Sequence, residues 1–126
     1  MGSDWSVSSP NPLWEMYVAV ERKNPVEYAA NTEVFLPDER LDLIDALAGF
    51  TCNAAYVNHL DDRTGTLEAG KLADLLIVDG DPLSDIAILE DSGRIEAVMI
   101  GGRVVVAPGR YAPHLADTAT VTQRAH

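Results

Sequence analysis

Apolar side chains at Leu13, Met16, Tyr17 and Val20 recur at i, i+3, i+4 and i+7, the spacing that lines one face of an α-helix. Asn11 and Pro12 stand where an N-cap and a first helical residue belong, so a helix is predicted over residues 12–22, closed by Asn24-Pro25. Residues 24–37 read as a polar connection with Val34 and Phe35 as apolar anchors. A second helix is predicted over 43–50, N-capped by Asp42, with Leu43, Ile44, Leu47 and Phe50 on one face and Gly49 weakening its last turn. Thr51 then caps a third short helix over 52–58, which leaves almost no linker between the pair.

From Gly65 the texture changes to short apolar runs punctuated by Gly, Asp and Pro. Ala73-Asp74-Leu75-Leu76-Ile77-Val78, followed by Asp79-Gly80-Asp81-Pro82, predicts a buried strand ending in a turn. Residues 95–100 and 103–107 are β-rich runs joined by Gly101-Gly102, a pair that tolerates the positive φ angles of a type I′ turn. The hairpin predicted over 95–106 places both glycines at its tip, with Val98 and Ile100 on one face and Met99 on the other. Residues 108–126 are polar, rich in Ala and Thr and without a period, and are expected to form a loose or partner-dependent tail.

At 126 residues and 47% hydrophobic, the chain has the length of one ordinary domain and enough apolar surface for a core. A closed eight-stranded α/β barrel needs about 250 residues, which excludes a complete barrel enzyme. The 9 basic and 20 acidic side chains give a formal charge of -11, and no basic stripe interrupts the excess of acid, so nucleic acid is excluded as a partner. The lone cysteine, Cys52, excludes an intramolecular disulfide and fits a reducing compartment, which makes the cytoplasm the expected location. No apolar run approaches the roughly 20 residues needed to cross a bilayer, and no secretory leader is visible, so no membrane association is expected. Met1-Gly2-Ser3-Asp4-Trp5-Ser6 fits a loose myristoylation pattern, but Asp4 and the lack of a polybasic partner set that reading aside.

Candidate chemistry is sparse. His59, His114 and His126 have no second His or Cys at a chelating spacing, and each reads as a surface histidine. Cys52 lies on a short apolar helix without an activating base and reads as a packed thiol. Asp79, Asp81, Asp85 and Glu90 suggest a calcium loop, but its sixth position is Ser84 rather than Gly, and an acid-rich turn explains them better. Ser3, Ser6, Ser8 and Ser9 occupy no Gly-x-Ser-x-Gly frame, so nucleophilic catalysis has no support.

Several stretches, read in order, carry a resemblance. They are Gly2-Ser3-Asp4-Trp5, Ser9-Pro10-Asn11-Pro12-Leu13, Glu39-Arg40-Leu41, Thr51-Cys52-Asn53-Ala54-Ala55, the run from Gly65 to Leu75, and Val98-Met99-Ile100-Gly101-Gly102-Arg103-Val104-Val105. Together they resemble the C-terminal end of metal-dependent amidohydrolases, in the branch labelled amidohydrolase family 3, which belongs with the urease-type barrels. The resemblance covers most of residues 2–106. It implies a mixed α/β fold: residues 1–60 would be the last strand tip and closing helices of an incomplete (β/α)8 barrel. Residues 61–107 would be C-terminal strands of a small composite β-sandwich built from both ends of a longer chain.

In that family the Asp of Gly-Ser-Asp ligates a divalent metal and shuttles a proton from the attacking water. By position this residue is Asp4, the one catalytic and metal-ligating residue that the resemblance assigns here. A carboxylate at the C-terminal mouth of a barrel strand is suited to the role, because metal lowers the pKa of bound water toward neutrality. The family's His-x-His pair, mid-barrel ligand and two further histidines all precede Gly-Ser-Asp, where this sequence has only Met1.

The resulting expectation is the C-terminal segment of a hydrolase acting on carbon-nitrogen bonds of a small amide or formamide-like substrate. Its parent would hold a divalent metal, zinc first among the candidates, whereas the 126-residue chain alone would hold none and be inactive. The stripe from Leu13 to Val20 would lie on barrel strands, and the sheet would pair with strands from the parent's other end. Either the missing N-terminal part or a second copy, forming a homodimer, is therefore the expected partner. The alternative is a non-catalytic interaction module or complementing subunit that docks on a partner.

Overall fold

The computed structural model describes residue 6 and residues 9–25 and 33–106. Asn11 fixes the first helix as its sequence predicts: Asn11 Oδ1 accepts the Leu13 N–H at 3.0 Å, and Ser9 Oγ in turn accepts the Asn11 N–H at 3.2 Å. With Pro12 at its first position, helix α1 runs Pro12–Glu21. It stops one residue short of the expected end because Arg22 turns left-handed, with φ +56°, and its N–H reaches back to Val18 O at 2.9 Å. Arg22 and Phe35 then close the connection on each other. The Phe35 N–H donates to Arg22 O at 2.8 Å, Arg22 Nε donates to Phe35 O at 3.1 Å, and the guanidinium stands 5.9 Å from the ring centroid. Phe35 is therefore no buried anchor: 69% of it is exposed.

Helix α2 spans Leu43–Phe50, with Asp42 Oδ1 accepting the Ile44 N–H at 2.9 Å, and α3 spans Cys52–Val57. Two expectations for this pair need correction. Ile44 is 60% exposed and Ala46 takes the buried position, because a 3.6-residue period runs the core face through Leu43, Ala46, Leu47 and Phe50 and leaves residue 44 to the side. Thr51 makes no side-chain cap on α3, since its hydroxyl donates back to Leu47 O at 2.7 Å. Helix α3 ends one residue before its expected limit, with Asn58 as C-cap.

The sheet contains β1 (Leu75–Val78), β2 (Ile95–Ile100) and β3 (Arg103–Val106), antiparallel in the order β1-β2-β3. Gly101 and Gly102, at φ +57° and +77°, form the expected two-residue turn. Register places Leu76, Val98 and Val106 on one face and Leu75, Met99 and Val104 on the other. That agrees with the predicted sidedness of Val98 and Met99. Glu96 and Val105 are the extra residues at two bulges. Strand β1 is two residues shorter than predicted and half-buried rather than buried, with Leu76 exposed. Ala73 and Asp74 leave the ladder to brace the hairpin tip instead: Gly102 N–H donates to Ala73 O, and Gly101 N–H donates to Asp74 Oδ1.

The core joins both halves of the chain. Met16, Ala46, Ile86 and Leu89 are buried together, with Leu13, Tyr17, Val20, Leu43, Leu47, Phe50 and Val78 packed around them. Ile86 and Leu89 come from a 3₁₀ helix, Ile86–Glu90, inside the segment that reads only as an acid-rich turn. The Leu13-to-Val20 stripe, expected to await barrel strands, thus packs within its own chain. The core is small, however: no large side chain among the described residues is completely buried. No helix among them is long and apolar enough to cross a membrane.

Candidate functional site

Asp4, the residue to which the sequence assigns metal ligation and proton transfer, lies outside the described residues, as do His114, His126 and the tail from 108 to 126. The continuous described chain begins at Ser9, two residues before Asn11. Their nested hydrogen bonds fix where the polypeptide turns into α1.

Three other candidates are placed. His59 is exposed, in a left-handed conformation at φ +55°, just after α3. Cys52 is half-buried, its thiol 3.7 Å from Ala48 O, beneath Gly65. Three acids of the acid-rich segment 79–91, Asp81, Asp85 and Asp91, accept backbone N–H groups. Asp81 accepts the Leu83 N–H at 3.0 Å and the Ser84 hydroxyl at 2.6 Å, Asp85 accepts the Ala87 N–H at 3.0 Å, and Asp91 accepts the Gly93 N–H at 2.8 Å. The Ser84 hydroxyl, followed by the Leu83 N–H, holds the Asp81 carboxyl below its ordinary pKa. These are turn and capping contacts, as an acid-rich turn requires, and no three His, Cys, Asp or Glu side chains among the described residues gather where they could hold a metal.

A cleft of about 300 Å³ lies beside the C-terminus of α1, lined by Val18, Arg22, Lys23, Asn24, Glu33 and Phe35. Among the described candidates, neither His59, Cys52 nor the acids of residues 79–91 line it. Sequence reasoning passed over one junction altogether. Asp74 takes the Gly101 N–H on Oδ1 at 2.6 Å and the Thr64 hydroxyl on Oδ2 at 3.4 Å, so one carboxylate ties the loop after α3 to the hairpin tip. Lys71 donates to Thr66 Oγ1 at 2.7 Å, and the Leu72 N–H donates to Arg63 O at 2.7 Å, within the same loop. The signal was present in the resembling stretch from Gly65 to Leu75. By sequence alone its acid, Asp74, reads only as part of a strand.

Comparison with known proteins agrees with the resemblance. Residues 1–106 match the profile described as the amidohydrolase family. The protein LONG AFTER FAR-RED 3 of Arabidopsis thaliana is 35% identical over 103 residues, which cover 82% of this chain and 17% of that protein. The N-substituted formamide deformylase of Arthrobacter pascens is 32% identical over 87 residues, covering 66% of this chain and 14% of the enzyme. Among solved structures, a prolidase complexed with N-methylphosphonate-L-proline superposes with a TM-score of 0.51 at 35% identity, over 56% of this chain and 17% of its own. The chain therefore spans less than a fifth of the length of each of these relatives.

Proposed function

Because this chain belongs to the amidohydrolase family, we propose that it is the C-terminal portion of a metal-dependent hydrolase that cleaves carbon-nitrogen bonds in small amide or formamide-like molecules. The observation that carries this reading is the family match over residues 1–106, which takes in Gly2-Ser3-Asp4 as well as the hairpin. The relative named a formamide deformylase supports the formamide class, and the likeness to a prolidase supports carbon-nitrogen hydrolysis more broadly.

The family generally uses a divalent metal. The described residues do not by themselves assemble a site for one. Asp4 is the proposed contribution of this chain: one carboxylate ligand, zinc being the expected metal, and a proton acceptor. The remaining ligands would come from the rest of the parent, and the isolated chain would be inactive. Residues 1–60 would close the barrel and residues 61–107 would complete a β-sandwich, the sheet face bearing Leu76, Val98, Ile100 and Val106 meeting strands from elsewhere in the parent. In the isolated chain the same face would pair with a second copy. The single thiol fits a reducing compartment, and a cytoplasmic location is part of the proposal.

One observation favours a second reading, a complementing subunit or interaction module without chemistry of its own. Met16 is 4% exposed and packs with Ala46, Ile86 and Leu89, so the segment has a core of its own on which to fold and dock.

The transcript around the Met1 codon separates the two. An in-frame upstream sequence containing His-x-His is the result expected for a hydrolase portion. A stop codon immediately upstream, with a ribosome-binding signal before Met1, would replace it with the module.

A further inference from the structure

We draw no further inference here: the strongest candidate, the exposed apolar sheet face carried by Leu76, Val98, Ile100 and Val106, has nothing in the structure to show what covers it.

Discussion

The Gly101 N–H donates to Asp74 Oδ1 at 2.6 Å across 27 residues of chain, so a side chain preceding β1 holds the turn between β2 and β3. The adjacent Gly102 N–H meets Ala73 O at 3.1 Å, and the two bonds together seat the hairpin tip on the segment leading into β1. A hydrogen bond to an ionised acceptor is stronger than a neutral one, although exposure to water reduces its net effect. Asp74→Ala is expected to lower stability by about 1–2 kcal/mol, with Asp74→Asn retaining part of it. Urea unfolding of the three proteins checks the order.

Gly65 and Gly70 test a second relationship. Both have positive φ, +88° and +94°, but a Cβ on Gly65 would sit 2.6 Å from Ala55 Cβ and 3.1 Å from Cys52 Cα, whereas one on Gly70 would meet nothing within 4 Å. Gly70→Ala should incur backbone strain alone, about 1 kcal/mol or somewhat more. Gly65→Ala adds overpacking against α3 and should cost about 2–4 kcal/mol in all. Equal losses in thermal unfolding would show that the loop does not press on the helix.

Met16→Ala removes the most buried side chain of α1 and should destabilise the fold by about 2–4 kcal/mol, while Ile44→Ala, at a 60% exposed position, should change it by less than about 1 kcal/mol. Denaturant midpoints measure both. A neutral Met16→Ala would mean that α1 does not pack on α2 and the 86–90 turn.

Two groups give stability opposite dependences on pH. Tyr17 is pushed above its ordinary value of 10.0, first by desolvation and then by the carboxylates of Glu90, Glu21 and Asp85. Its contribution is full below about pH 10 and is lost as pH rises through the higher folded value. Asp81 is shifted down, so its contribution is full above the ordinary carboxylate value and is lost as pH falls through the lower folded one. Tyr17→Phe should flatten the alkaline limb of the stability profile and abolish the late tyrosinate absorbance. Asp81→Asn should flatten the acid limb.

The sequence carried the short-range features well. The starts of α1 and α2 followed from Asn11, Pro12 and Asp42, and the hairpin from Gly101-Gly102, because such caps and two-residue turns are decided by neighbouring residues. Longer-range outcomes were less legible. The 3₁₀ helix that buries Ile86 and Leu89 lies in a segment whose Asp and Ser residues signal only turns, and its burial depends on α1, some 70 residues away. The role of Asp74 depends on a partner 27 residues on, which no local pattern announces. The site was legible only through resemblance, since a single carboxylate at Asp4 has no spacing to read.

If a second copy covers the sheet face, light scattering at micromolar concentration should give about twice 13.6 kDa. Ile100→Asp, at a 59% exposed position on that face, should return the monomer with little loss of stability. A monomer from the unsubstituted 126-residue chain would remove the homodimer from the proposal.

In the proposed function this chain contributes Asp4 alone to a metal site completed elsewhere in an amidohydrolase. The most direct test is metal analysis of the purified, dialysed 126-residue chain, with hydrolysis of N-substituted formamides assayed on the same sample. Metal far below one equivalent and no turnover above the buffer rate are expected. One equivalent of tightly held metal, with hydrolysis that disappears in Asp4→Asn, would contradict it.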